Sequence, residues 1–140
     1  MKKIIALMAV VAMFAAFSIS SVGKKLPSVG YVLVGPKTDG GWSMRHYQGF
    51  KSLEKHGYKV SGVEMVPESE SSKIFRKLAQ KHDIVFATSF GYMDGMVKVA
   101  KKRPDTIFMH ATGYKGNDTN MDNYVCHSFQ ARYLTGIAAG

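Results

Sequence analysis

The stretch Val34-Gly35-Pro36-Lys37-Thr38-Asp39-Gly40-Gly41-Trp42 combines glycines, a carboxylate and the only tryptophan of the chain. Its Gly35-x-x-x-x-Gly40 spacing is that of a phosphate-binding P-loop, but Gly41 and Trp42 stand where that motif needs a lysine and a hydroxyl. Triphosphate binding is excluded on chemistry. A dinucleotide loop is also excluded, because Gly35, Gly40 and Gly41 do not follow G-x-G-x-x-G.

Two further readings involve reactive side chains. Ala87-Thr88-Ser89-Phe90-Gly91 approximates the G-x-S-x-G turn of serine hydrolases, with alanine in place of the first glycine. It would need an acid and a histidine further on. Asp105 or Asp118 and His110 or His127 are available, and no spacing selects among them, so a small exported hydrolase using Ser89 is the enzymatic alternative. The histidines at 46, 56, 82, 110 and 127 form no i, i+4 pair and have no C-x-x-C companion, so no metal site is expected.

The remaining reading is a non-catalytic cleft for a flat, polar small molecule, needing no cofactor. Trp42 follows two glycines at a strand-to-helix turn, where an indole can project over a sheet edge. Backbone N–H groups at the helix start, Gly41 included, can meet an acceptor there. Asp39 and Asp94 can accept N–H or hydroxyl donors, and His46, Ser89, Phe90, Tyr92 and Thr112 fall on the same set of loops. The alternative is that Trp42 only fastens a helix to the sheet while the aspartates cap helices.

These loops take their place from the elements around them. Apolar runs at Val29–Val34, Tyr58–Val66, Asp83–Thr88, Thr106–Thr112 and Asn123–Ser128 predict strands. Between them, Ser43–His56, Ser71–His82 and Tyr92–Lys102 have helical periodicity, with serines placed as caps of the second, and Phe129 begins a last helix. Alternating strands and helices predict a doubly wound α/β domain with a mostly parallel sheet. In such sheets ligands bind beyond the carboxyl ends of the strands, where the candidate residues lie.

Met1-Lys2-Lys3, the apolar run Ile4–Phe17 and the small residues up to Gly23 have the three parts of a signal peptide. Residues 1–23 are therefore expected to be removed, leaving one extracytoplasmic domain over residues 24–140. The single cysteine, Cys126, rules out an internal disulfide and is expected as a small core hydrophobe. The net charge of +9 is dispersed, with only Lys101-Lys102-Arg103 clustered, so nucleic acid is not the expected partner.

The strings YVLVGPKTDGGWSMRHYQGFKSLEK, DIVFATSFGYMDGMVKVAKKRPDTIFMHATGYK and NYVCHSFQARYLTGIAAG, in this order, resemble the basic membrane protein family of substrate-binding proteins for ABC importers. The resemblance runs from about Val29 to Gly140. It implies a type I periplasmic-binding fold whose two lobes close on a purine nucleoside or base and deliver it to a membrane permease. It also implies that Trp42 stacks on the base and that Ser89-Phe90-Gly91-Tyr92-Met93-Asp94 lines the cleft, with Asp94 or Ser89 as polar anchor. Two departures accompany it. There is no lipobox cysteine, so no lipid anchor is implied. The chain also breaks off in the helix leading toward the second lobe, which predicts a first-lobe fragment that binds ligand weakly or not at all, with an inactive fragment as a further alternative.

Overall fold

The computed structural model describes residues 25–140, and the expected signal segment lies outside them. Four-residue strands β1 (Val29–Val32), β2 (Val60–Val63) and β3 (Ile84–Ala87) are joined by β4 (Ile107–Ala111) and β5 (Met121–Tyr124). They form one sheet in the order β2-β1-β3-β4-β5, with every neighbouring pair parallel. This is the doubly wound α/β fold that the pattern predicts. The strands are shorter than the apolar runs that announce them: Leu33 and Val66 lie past the strand ends yet are buried.

Helices cover both faces, as right-handed crossovers require. Register places Tyr31, Phe86 and Met109 level with one another, and Val32, Ala87 and His110 level one step on. Successive residues alternate faces, so the first set shares one face and the second the other. On the first face, α1 (Trp42–Lys55) packs Phe50, Tyr47 and Leu53 against Val29, Leu33, Tyr31 and Phe86. On the second, α2 (Ser71–Leu78) and α3 (Met93–Ala100) bring Phe75, Leu78, Met96 and Val99 onto Val32, Val85, Phe108 and Met121. This second face is the larger core.

Helices α2 and α3 are shorter than their sequence periods predict. Single 3-10 turns at Glu68–Glu70 and Phe90–Tyr92 lead into them. The expected serine cap of α2 is corrected: Ser71 Oγ donates to the Glu68 carbonyl at 2.6 Å and takes no helix N–H. No helix links β4 to β5. Asn120 instead holds that connection, its Nδ2 donating to the carbonyls of Ala100, Arg103 and Thr106 at 2.8–3.1 Å.

Cys126 is exposed, which corrects the expectation of a core thiol. It follows β5 beside a groove of about 670 Å³ on the first face, lined by α1 on one side and by Phe86 and Tyr124 of the sheet on the other. The last helix, α4 (Ser128–Ala139), is exposed along its whole length and does not cover that groove. Among the described residues no helix is long and apolar enough to cross a membrane.

Candidate ligand-binding site

Strand order reverses between β1 and β3, with β2 on one side of β1 and β4 beyond β3. Connections leaving β1 and β3 therefore run to opposite faces, opening a crevice at their carboxyl ends. Trp42 stands at this crevice. Its Nε1–H donates to the Thr88 carbonyl just past β3 at 2.5 Å. His46, one turn along α1, packs on the indole with ring centroids 4.4 Å apart, while its Nδ1 lies 2.9 Å from the Trp42 carbonyl. Both ring edge and ring packing are thus fixed, and the indole remains 41% exposed.

The loop that carries Trp42 is tied to itself. Asp39 Oδ1 accepts from the N–H groups of Gly41 and Met44, and Oδ2 from that of Ser43, each at 2.9 Å. These three bonds, the one from Met44 foremost, hold the Asp39 carboxyl down at about 2. Buried Ser43 accepts the Gly35 N–H through Oγ, and Gly40 turns the chain at φ 71°, a conformation open to glycine. Asp39 is therefore the acceptor at the start of α1. The N–H groups of Gly41, Ser43 and Met44 are thereby taken by Asp39, which corrects the expectation that such groups, Gly41's included, are free for a ligand.

After β3, the predicted residues separate. Phe90 is 58% exposed at the crevice and stands 6.0 Å, centroid to centroid, from the exposed ring of Tyr114 after β4. Tyr92 points the other way. It is fully buried against Phe75, and its hydroxyl donates to the Val66 carbonyl at 2.5 Å. Burial, with the Glu68 charge adding, pushes the phenol up to about 12. Tyr92 is thus corrected from site residue to core residue, because the 3-10 turn rotates it onto the face that α2 and α3 cover. Asp94 pairs with Lys115 Nζ at 2.5 Å, which lowers its carboxyl, so as an anchor it presents a neutralised pair rather than a bare charge.

Thr112 is half-buried just past β4, with φ 61°. A β-branched residue in this left-handed region is uncommon and strained, and such residues gather at ligand sites. Its N–H donates to the Tyr124 carbonyl and its Oγ1 to the Ala111 carbonyl. His110, the level below, is fully buried and neither ring nitrogen has a hydrogen-bond partner. Burial pushes its imidazole down, and the facing Ser89 carbonyl acts in the opposite direction, short of a hydrogen bond. His82 is buried as well.

Sequence reasoning missed Glu68. It follows β2, and its Oε1 accepts the Ser89 hydroxyl proton at 2.8 Å. The carboxylate lies so close over Gly91 that a Cβ there would stand 1.9–2.0 Å from it. Its only signal in the sequence is the acid in Pro67-Glu68-Ser69-Glu70 directly after a strand. Ser89 Oγ therefore bonds a carboxylate rather than a histidine, which does not assemble a hydrolytic triad. Among the described residues no group of three or more His, Cys, Asp or Glu side chains could hold a metal ion.

Comparison with known proteins adds the following. Residues 26–140 match the family described as ABC transporter substrate-binding protein PnrA-like, Bmp. A purine-binding protein of Brucella abortus is 43% identical over 116 residues, which cover 79% of this chain and 33% of that one. A Haloferax volcanii protein, provisionally named the glucose-binding protein of an ABC transporter, is 36% identical over 116 residues, 81% of this chain and 29% of that one. The chain thus spans about a third of the length of these relatives. Among solved structures, a solute-binding protein of an ABC transporter system from Conexibacter woesei superposes with a TM-score of 0.67 at 20% identity, covering 79% of this chain and 39% of that one. One from Aeropyrum pernix gives 0.66 at 18% identity, covering 79% and 32%.

Proposed function

Because this chain belongs to the PnrA-like substrate-binding family of ABC transporters, we propose that it is the first lobe of an extracytoplasmic receptor that captures a purine base or nucleoside for an ABC permease. The observation that carries this reading is Trp42, a half-exposed indole held by the Thr88 carbonyl and packed by His46 at the crevice. A fixed aromatic surface loses little conformational freedom when a flat ring stacks on it. Phe90 and Tyr114 give further exposed rings across the same edge, and the 43%-identical relative bears a purine-binding name. Thr112, Ser89 and the Asp94–Lys115 pair supply polar contacts. Affinity comes from stacking, hydrogen bonds and closure, with no covalent chemistry. Residues 1–23 serve as the export signal in this reading.

The name of the second relative favours a sugar as the alternative ligand, since a pyranose also lies flat on an indole. With one tryptophan, the indole N–H gives a single side-chain peak in a 1H–15N spectrum. Titration of the 15N-labelled lobe with guanosine, adenosine and glucose in the millimolar range separates the readings. Shifts of the Trp42 peak with the nucleosides alone support the purine assignment. Shifts with glucose alone replace it with a sugar, and a response to neither removes Trp42 as a ligand platform.

A further inference from the structure

Glu68 and Ser89 form a matched pair on the β2–β3 side of the crevice. A serine hydroxyl has one proton and two lone pairs. Ser89 commits that proton to Glu68 Oε1, so only acceptor capacity remains on its oxygen. Glu68 Oε2 has no protein donor among the described residues, and both side-chain ends are within reach of solvent. Two acceptors of different residues thus stand side by side with no donor between them. They are one residue from Thr88, whose carbonyl positions the Trp42 indole.

Taking the stacked-ring reading as its basis, we infer that Glu68 and Ser89 together select a ligand edge bearing two adjacent N–H or O–H donors. A guanine-type edge and a vicinal sugar diol both have this chemistry. An adenine-type edge, which alternates donor and acceptor, leaves one protein acceptor unpaired and is disfavoured, since an unmet polar group in a closed site loses its hydration without recompense. Gly91 is part of the device. It leaves the space in which the carboxylate lies flat beside Ser89, and any side chain there displaces the flexible end of Glu68 rather than the backbone.

The test uses the Trp42 indole peak and the Gly91 amide peak as separate reporters in titrations of the lobe. 2′-Deoxyguanosine carries the donor pair on the base only, adenosine on the sugar only, and 2′-deoxyadenosine on neither. The wild type should bind 2′-deoxyadenosine most weakly. Glu68→Gln keeps the bond from Ser89 but turns the second acceptor into a donor, and Gly91→Ala moves the carboxylate aside. Each should weaken the preferred donor-pair ligand at least threefold without weakening 2′-deoxyadenosine, whose alternating edge gains a partner from the new amide donor of Glu68→Gln. Which of the first two ligands loses affinity identifies base edge or diol as the source. If both variants keep the wild-type ranking while Trp42→Ala removes the Gly91 response, the acceptor pair is wrong and stacking stands. If no ligand moves either peak, the stacking reading fails and takes the pair with it.

Discussion

The Trp42 indole N–H and the Thr88 carbonyl, 46 residues apart in sequence, meet at 2.5 Å and join the loop after β1 to the end of β3. One bond does two things: it satisfies a polar group on a large aromatic side chain, and it sets the plane in which that ring is offered.

Trp42→Phe keeps an aromatic surface but loses the bond, so the ring is free to turn about its side-chain torsions. Ligand affinity should fall several-fold relative to wild type and disappear in Trp42→Ala. The backbone amide peaks of Ser89 and Gly91, followed in ligand titrations, report this without the indole. Equal affinities for wild type and Trp42→Phe would show that the Thr88 bond orients nothing of consequence.

Asp39 makes the start of α1 sensitive to acid. Its carboxyl is held at about 2 against an ordinary 3.8, so the folded state favours the ionised form. That contribution is fully present above about 4 and is lost as pH falls through about 2. Thermal unfolding followed between pH 5 and 2 should show a falling midpoint. Asp39→Asn should lower the midpoint at neutral pH and flatten that dependence.

Buried histidines give a second pH dependence at a higher range. Burial lowers the imidazole of His82, whose Nε2 lies 2.9 Å from Ser61 Oγ, and that of His110. For groups whose folded values lie below the ordinary 6.5, stability is present above 6.5 and declines as pH falls toward the lowered values. Ring proton shifts of both residues should still report neutral imidazole at pH 6.5. A His110 ring already half charged at that pH would contradict its enclosure.

Asn120 should be the most sensitive position in the β4–β5 connection. Its amide serves three carbonyls, two of them at the end of α3, and only donors can do so. Asn120→Asp places acceptors against acceptors and should destabilise the lobe by about 3 kcal/mol, near the upper end for an unsatisfied buried group, with Asn120→Ala lower at about 1–2 kcal/mol. Urea unfolding midpoints measure both.

Strand identity, parallel order and the position of Trp42 were legible because period and turn chemistry are local signals. Asp39 illustrates what was not. A carboxylate two residues before a Gly-Trp helix start suits ligand and helix equally, and only the three N–H directions decide. Tyr92 was misplaced because a single 3-10 turn shifts the face by which the following helix is read. The burial of His110 and the use of Glu68 were missed in opposite ways. A histidine inside an apolar strand gives no sign of complete burial, and the use of Glu68 depends on Ser89, 21 residues away, and on the missing side chain of Gly91.

The groove beside α1 governs how the lobe behaves in bulk. Phe86, Tyr124 and the ring of Phe50 line an apolar wall, while the net positive charge, +9 for the full chain with Lys2 and Lys3 of the expected signal included, keeps molecules apart. That repulsion reaches only about 8 Å at physiological ionic strength, and sulfate strengthens apolar contact further. Salt therefore acts on both opposing forces in the same direction. The lobe should show no salting-in regime: its solubility should fall steadily from dilute buffer to concentrated sulfate, a bulk property traceable to one apolar groove on one sheet face.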